Sequence, residues 1–202
     1  MSGQKDLLDL PALVDARFAQ SMTIPHAFFE AEAGCIAEAC WAMARRFHQG
    51  GRLLAFGNGA SATDAQHVSV EFVHPVIVGK RALPALALTN DSATLSSPAS
   101  AGKHELLFVR QIHVLARPQD IALGFSLDGC CENVAQALDA AKSKGLLTLG
   151  LTGGEGFTQV GCDFCFVVPS RDPLVIQETH ETLYHILWEL VHIFFEHEGL
   201  LT

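Results

Sequence analysis

Five short apolar runs, separated by helical segments, constrain the fold of this chain more than any other feature. The runs are RLLAFG (52 to 57), LPALALT (83 to 89), DIALGFS (120 to 126), LLTLGLTG (146 to 153) and CDFCFVVP (162 to 169). Strands that are apolar throughout are typical of parallel sheets that are buried on both faces. The pattern therefore predicts a three-layer α/β sandwich with a five-stranded parallel sheet.

The remaining periodic segments predict helices. Helices are expected at 61–73, 102–116 and 130–144, with a long last helix from Pro173 to about Glu198. Two helices are expected before the first strand, DLLDLPALVDARFAQSM and TIPHAFFEAEAGCIAEACWAMARRFHQGG, with Thr23 as the N-cap of the second and Gly50-Gly51 as its end. We expect one domain over 1–202: N-terminal helices at about 6–49, an α/β core at about 52–170 and a C-terminal helix at about 173–198.

Charge and hydropathy exclude several classes of partner. The formal net charge of −9 argues against a broad electrostatic grip on nucleic acid or on an anionic membrane. Asp6, Asp9 and Asp15 interrupt the apolar N-terminal stretch, unlike a signal peptide, and no run reaches the roughly 18 apolar residues of a membrane span. We expect a cytoplasmic protein that binds neither nucleic acid nor membrane.

The six cysteines fit that compartment as reduced thiols. The segment CDFC at 162 to 165 has the spacing of a redox or zinc motif. However, it lies in an apolar run that reads as a strand, and residues three apart on a strand point to opposite faces. Cys162 and Cys165 are therefore predicted not to form a functional pair.

The turn GNGAS, residues 57 to 61, is a candidate anion site. Its free backbone N–H groups and the dipole of the following helix favour a negative charge. It lacks the third glycine of a dinucleotide fingerprint and the GK[ST] of a Walker loop. A plain tight turn with Ser61 as N-cap is the alternative.

Two polar groups on helices are candidates for metal binding or acid-base chemistry. His67 and Glu71 are four residues apart and project from one helix face, where they could also form an ordinary hydrogen-bonded pair. The last helix carries Gln177 and His185, which are separated by about 12 Å along its axis. One copy is not expected to bring both of these to one centre, and neighbouring copies in an oligomer would resolve this.

Together these segments resemble the sugar isomerase (SIS) domain, and within it the phosphoheptose isomerases. The resemblance covers roughly residues 25 to 197 and rests on GNGASATDAQHVSVEF, FVRQIHVLARPQDIALGFS, LLTLGLTGGEG and the VPS…IQETHETLYHILWELV ending. It implies a flavodoxin-like SIS fold and an enzyme that converts sedoheptulose 7-phosphate to glycero-manno-heptose 7-phosphate. This reaction would serve the biosynthesis of lipopolysaccharide heptose. It also implies zinc as cofactor and a homotetramer whose active sites lie at subunit interfaces.

The resemblance also implies roles for individual residues. Glu71 would be the catalytic base, and His185, across an interface, would move a proton between the adjacent oxygens of an enediol. The metal ligands would be His67, Glu71, Gln177 and His185. The substrate-binding residues would be Asn58, Gly59, Ser61, Asp91, Ser126, Asp128 and Gln177.

One loop departs from the family. Where these isomerases have a Ser- and Thr-rich loop of the form STSGNS, this chain has SLDGCC at 126 to 131, so Leu127, Asp128 and Cys131 replace three hydroxyls. An ionised Asp128 beside a phosphate would repel it, by about 4 kcal/mol for charges about 4 Å apart at an effective dielectric near 20.

Three interpretations follow. The first is a metal-assisted phosphoheptose isomerase, favoured by His67, Glu71, Gln177 and His185. The second is an isomerase for a different sugar, without the phosphate or with another charge, favoured by SLDGCC. The third is a non-catalytic SIS-domain protein that binds a sugar phosphate or has a regulatory role.

Overall fold

The computed structural model describes residues 9–157 and 160–201. In chain order these residues form α1 (Leu10–His48), β1 (Leu53–Gly57), α2 (Ala60–Val73), β2 (Ala85–Ala87), α3 (Ser92–Ser100), α4 (Leu106–Leu115), β3 (Ile121–Ser126), α5 (Glu132–Ser143), β4 (Leu147–Gly153), β5 (Phe164–Val168) and α6 (Pro173–Glu196). A single turn of 3-10 helix (Glu198–Leu200) follows α6.

The five strands form one parallel sheet in the order β2-β1-β3-β4-β5. The three central strands β1, β3 and β4 are buried along their whole length, whereas the edge strands are partly exposed. The continuous apolar runs in the sequence arise from this burial on both faces. The predicted three-layer α/β fold is confirmed, with the strand order of the flavodoxin-like class.

Helices cover both faces of the sheet. The face of Leu53, Leu123 and Phe166 packs against apolar side chains of α1, α2 and α6. The opposite face, which includes Leu54 and Ala122, packs against α4 and α5. The helices α2 and α6 therefore lie on the same side of the sheet, and this arrangement positions the candidate site.

The N-terminal region differs from the prediction of two helices. The structure has one helix, α1, of 39 residues, with Pro25 in its interior. Thr23 does not cap a second helix, because its hydroxyl donates a hydrogen bond to the Ala19 carbonyl inside α1. Pro25 removes its own N–H from the helical ladder and its ring crowds the preceding turn, but the buried residues of α1 from Phe28 onward hold the helix against the core. The predicted end at Gly50-Gly51 is correct.

The boundaries differ elsewhere by a few residues, and one helix was not predicted. Residues 6 to 8 of the predicted N-terminal helix lie outside the described residues. The unpredicted helix α3 has the sequence SATLSSPAS, whose serines and proline read as a loop. None of the helices within the described ranges is long and apolar enough to cross a bilayer.

The strand alternation assumed for Cys162 and Cys165 is wrong, whereas the absence of a functional pair stays a prediction. The strand β5 begins at Phe164, after a bend at Asp163, so strand alternation does not relate the two cysteines. Their thiols form a hydrogen bond, which lowers the pKa of Cys165 to about 7 against the opposing effect of burial. All six cysteines are free thiols.

Candidate functional site

The carboxyl ends of β1 and β3 meet where the strand order reverses, which is the position at which open α/β sheets bind ligands. The turn after β1 is tight: a Cβ on Gly57 would lie 2.7 Å from the Cβ of Ser61. Gly59 precedes α2 with a φ of 57°, a conformation that favours glycine. Backbone geometry therefore explains both glycines of GNGAS.

The predicted phosphate-binding residues lie along this edge. Asn58 exchanges two amide hydrogen bonds with Asn133 of α5, at 2.8 and 3.0 Å. Ser61, in the first turn of α2, and Ser126, at the end of β3, are both buried. The Asn58–Asn133 pair therefore links the turn after β1 to the start of α5.

Two histidines and one carboxylate form a cluster between α2 and α6. Glu71 Oε1 lies 3.1 Å from His185 Nε2 and 3.6 Å from His67 Nε2. The Glu71 side chain is 12% exposed and the two histidines are 43–44% exposed, so the cluster opens towards solvent on the histidine side. One chain is sufficient to bring His185 to Glu71, so the neighbouring copy expected from the sequence is not needed for this pair.

Trp188 fixes the backbone of Glu71, and one oxygen of the Glu71 carboxylate lacks a hydrogen-bond partner among the described residues. The Trp188 indole N–H donates to the Glu71 carbonyl at 2.9 Å, which fixes the backbone of α2 against α6. Within the described part of the chain, Glu71 Oε2 is buried without a hydrogen-bond partner. Because an unpaired buried carboxylate oxygen is costly, this atom indicates a missing partner such as a ligand, a metal or a water molecule.

Tyr184 is a member of the site that the sequence analysis missed. Its hydroxyl lies 2.8 Å from His67 Nδ1, and its ring packs edge-on against His67 and His185, with centroids 5.4 and 5.0 Å away. Burial raises the pKa of this phenol, and the negative charges of nearby acids raise it further. The available signal was the position of the chain's single tyrosine, next to His185.

Gln177 lies nearer the start of α2 than the cluster does. Its amide nitrogen donates to Asp64 Oδ1 at 3.2 Å, and it lies 3.4 Å from the Ala60 carbonyl oxygen. The ligand role of Gln177 therefore stays a prediction. Asp64 is itself 5% exposed, and burial raises its pKa to about 6, although the hydrogen bond from Gln177 opposes this.

Two further polar residues, Asp91 and His180, have contacts or burial that account for the shifts in their pKa values. The Asp91 carboxylate caps α3 by accepting from the N–H groups of Ala93 and Thr94, which lowers its pKa. His180 is fully buried in α6, and burial lowers its pKa to about 4, so it is uncharged at neutral pH. A role of Asp91 towards a sugar stays a prediction.

The altered loop folds back on itself. Asp128 Oδ1 accepts from the Cys130 N–H at 2.9 Å and lies 3.3 Å from the Ser126 hydroxyl. The Ser126 hydroxyl and the Cys130 N–H are two of the hydrogen-bond donors between the carboxyl end of β3 and the start of α5. The side chain of Asp128 thus takes up donors that an anionic ligand at this edge would need.

The residues present fit a divalent transition metal. His67, Glu71 and His185 each offer one ligand atom, and these atoms lie within 4.8 Å of one another. Two imidazoles and a carboxylate are a common protein donor set for such ions and leave a position open for a substrate. The unpaired Oε2 of Glu71 is consistent with this fit.

The SIS domain family matches residues 18–153 of the chain. This is more than half of the sequence and includes β1, α2 and the altered loop.

The chain belongs to the SIS domain family.

Relatives at higher identity narrow this assignment. The SIS chain is 39% identical over 175 residues to a phosphoheptose isomerase of Thermodesulfovibrio yellowstonii, covering 86% of this chain and 87% of the relative. It is 41% identical over 170 residues to a phosphoheptose isomerase of Solidesulfovibrio magneticus, covering 84% and 83%. Both matches extend over most of each protein.

Solved structures agree. A phosphoheptose isomerase from Francisella tularensis has a TM-score of 0.86 at 28% identity and covers 92% of this chain and 100% of that chain. Its counterpart from Neisseria gonorrhoeae has a TM-score of 0.82 at 29% identity, covering 90% and 98%. The predicted SIS fold and the resemblance to phosphoheptose isomerases are confirmed, and these relatives support an isomerase enzyme.

The raised pKa of Asp64 predicts a pH-dependent effect of Asp64→Asn. Because the Asp64 pKa of about 6 in the folded protein lies above the ordinary value of 3.8, the wild type loses stability as pH rises from 3.8 through about 6. Asparagine can still accept from Gln177 and has no such penalty. We expect Asp64→Asn to gain about 2–3 kcal/mol of unfolding free energy relative to wild type between pH 4 and pH 8.

The measurement is urea unfolding of both proteins at the two pH values in the presence of a metal chelator. Asp139→Asn, which removes an exposed carboxylate of α5, is the control and should give no pH-dependent difference. An equal effect of Asp64→Asn at pH 4 and pH 8 would contradict the assigned cause.

Proposed function

We propose that this protein is a metal-assisted aldose–ketose isomerase of the phosphoheptose type, converting sedoheptulose 7-phosphate to glycero-manno-heptose 7-phosphate through an enediol. The observation that carries this proposal is the Glu71 carboxylate, which has two histidines at Oε1 and, among the described residues, no hydrogen-bond partner at the buried Oε2. Moving a hydrogen between adjacent carbons needs a base beside the carbonyl and a group that relays a proton between the oxygens.

Glu71 is proposed as the base. Its Oε1 faces the two imidazoles at the open side of the cluster, where the carboxylate would accept the proton from the carbon beside the substrate carbonyl. The electron pair of that C–H bond forms the enediol double bond. Glu71 then returns the proton to the neighbouring carbon, so the base is regenerated.

His185 is proposed to move the second proton. Its Nε2 lies 3.1 Å from Glu71 Oε1, so a substrate at this side of the carboxylate also lies within reach of the imidazole. His185 takes the proton of the substrate hydroxyl and delivers it to the former carbonyl oxygen. Protons and charge are then balanced over the whole reaction.

Zinc is the proposed metal, with His67, Glu71, Gln177 and His185 as its candidate ligands; His185 Nε2 would relay the proton only while it is not bound to the metal. When bound, zinc would polarise the substrate carbonyl and stabilise the negative charge that develops on its oxygen. For the phosphate we propose Asn58, Gly59, Ser61 and Ser126, which lie along the switch-point edge. Asp91 is proposed near the sugar.

The proposal predicts that Glu71→Gln abolishes isomerisation. The amide cannot accept the proton, so we expect turnover to fall by about 10²-fold to 10⁴-fold. The assay is deuterium exchange at the carbon beside the carbonyl of sedoheptulose 7-phosphate in heavy water, with zinc supplied.

The matched control is Glu189→Gln, which changes an exposed glutamate of α6, the helix that packs against α2. It should keep the wild-type rate. A wild-type rate in Glu71→Gln would remove Glu71 from the mechanism. No exchange by the wild type at high concentration would exclude the phosphoheptose substrate. Metal analysis of the purified protein further separates the catalytic interpretations from the non-catalytic one. About one zinc per site supports an enzyme, and the absence of bound zinc supports a binding or regulatory protein.

We also propose a homotetramer with active sites at its interfaces. Four apolar side chains of α1 are exposed at every fourth position, with exposures between 56% and 67%: Leu10, Val14, Phe18 and Met22. A stripe of this kind is typical of a face that packs against another helix. The six free cysteines support a cytoplasmic location, which stays a prediction.

The oligomer proposal predicts that Phe18→Glu lowers the molar mass in solution. A buried carboxylate in an apolar helix contact is strongly unfavourable, so the tetramer should dissociate into smaller species. Light scattering after size exclusion measures this. Gln20→Glu adds the same charge to another face of α1 and should leave the mass unchanged; a tetrameric Phe18→Glu would show that the stripe is not the interface.

A second substrate class is favoured by Asp128. Its carboxylate takes up the Cys130 N–H and lies beside the Ser126 hydroxyl, in the loop proposed to bind phosphate. A sugar without a phosphate at this end would avoid the repulsion between two anions. The proton chemistry at Glu71 would be unchanged.

The substitution Asp128→Ser separates the two substrate classes. It removes a negative charge and frees the Cys130 N–H, so we expect sedoheptulose 7-phosphate to bind at least tenfold more tightly, by about 1.4 kcal/mol. Calorimetry measures this. Glu132→Ser removes an equal charge from the first turn of α5 without freeing that N–H, and should change affinity by less than about threefold; unchanged binding in Asp128→Ser would show that Asp128 does not oppose the phosphate.

A further inference from the structure

The His67 imidazole has opposite requirements at its two nitrogens. To bind a metal through Nε2, a neutral histidine must carry its proton on Nδ1. In the metal-free protein the negative charge of the largely buried Glu71, whose Oε1 lies 3.6 Å from Nε2, instead favours a proton on Nε2. Only a partner at Nδ1 that can both donate and accept is compatible with both forms.

The group at Nδ1 is a hydroxyl that can both donate and accept. Tyr184 Oη lies 2.8 Å from Nδ1, whereas the nearest carboxylate oxygen, Glu181 Oε1, lies 3.7 Å away, beyond hydrogen-bonding distance. A carboxylate at Nδ1 would fix the proton there, since it can only accept. A phenol serves either form.

Tyr184 is well placed to hold this contact. The whole residue is buried, and a tyrosine phenol is protonated at neutral pH. Its ring packs edge-on against both histidines of the cluster and against Phe125. Among the described residues, the Tyr184 hydroxyl has one hydrogen-bond partner, His67.

We propose that Tyr184 is a positioning residue that holds His67 in place in both of its tautomers, donating to Nδ1 in the metal-free protein and accepting from Nδ1–H when Nε2 binds a metal. This inference rests on the proposed function for its metal-bound half. Its metal-free half depends only on the contacts of His67 with Tyr184 and Glu71. It assigns a role to a residue outside the predicted ligand set.

The test compares wild type with Tyr184→Phe, which keeps the buried ring and removes the hydroxyl. Long-range proton–nitrogen NMR of the histidine side chains at pH 8 distinguishes protonated from unprotonated ring nitrogens. In the metal-free wild type we expect His67 to carry its proton on Nε2, and zinc to move it to Nδ1. In the metal-free Tyr184→Phe protein we expect the nitrogen shifts of His67 to change, because Nδ1 has lost its donor.

Zinc affinity, measured by competition with a chelator, is the second readout. Removing the partner of a ligating histidine commonly weakens metal binding by about 10-fold to 100-fold, and we expect Tyr184→Phe to fall in this range. Thr182→Val removes an exposed hydroxyl from the same helix, and its zinc affinity should stay within about twofold of wild type. The melting temperature of each variant shows whether the fold is kept.

Glu181→Gln tests the competing partner. It should leave the His67 spectrum unchanged, and a changed spectrum in this variant but not in Tyr184→Phe would assign Nδ1 to Glu181 and overturn the proposal. Identical His67 shifts in wild type and Tyr184→Phe would also overturn it. If the wild type binds no zinc, the metal part of the proposed function is wrong, and the metal-free spectra still decide the role of Tyr184.

Discussion

The in-register packing of α2 against α6 is the interaction on which the candidate site depends. Three contacts join the helices at nearly constant sequence separation: Gln177 with Asp64 at 113 residues, and Tyr184 with His67 and Trp188 with Glu71 at 117. A constant separation means that the helices run side by side in the same direction. Both follow parallel strands, so the sheet imposes that direction, and the hydrogen bonds fix the register that brings His185 to Glu71.

This register also concentrates negative charge. Asp64, Glu71 and Glu181 all raise the pKa of the Tyr184 phenol, and Asp64 and Glu71 lie on the protected side of α2. Carboxylates removed from water are unfavourable unless a positive partner or donors compensate them. The half-exposed histidines can compensate in part by sharing a cation with Glu71. The electrostatics therefore favour binding of a cation at the open side of the cluster.

The sequence predicts local features well and tertiary pairings poorly. The buried central strands were predictable because burial on both faces leaves an uninterrupted apolar run, and the His67–Glu71 pair because it follows from helical spacing. The Tyr184–His67 contact joins residues 117 positions apart and needs the helix register, which no local pattern supplies. Pro25 and the serines of α3 read locally as helix breaks, and tertiary packing and the Asp91 cap override those preferences.

The two ends of the site depend on different kinds of structure. The proposed acid-base end is built from two helices whose register is fixed by buried contacts, so a change there disturbs the core. The proposed anion end is built from the turn after β1 and the loop after β3, where Asp128 is exposed and, among the described residues, its carboxylate has hydrogen-bond partners within its own loop. Substitutions in that loop can alter the charge accepted at this end at little cost in stability. A chain of this family can therefore keep its proton chemistry while its preference for a phosphate changes, and SLDGCC is the segment in which such a change would occur.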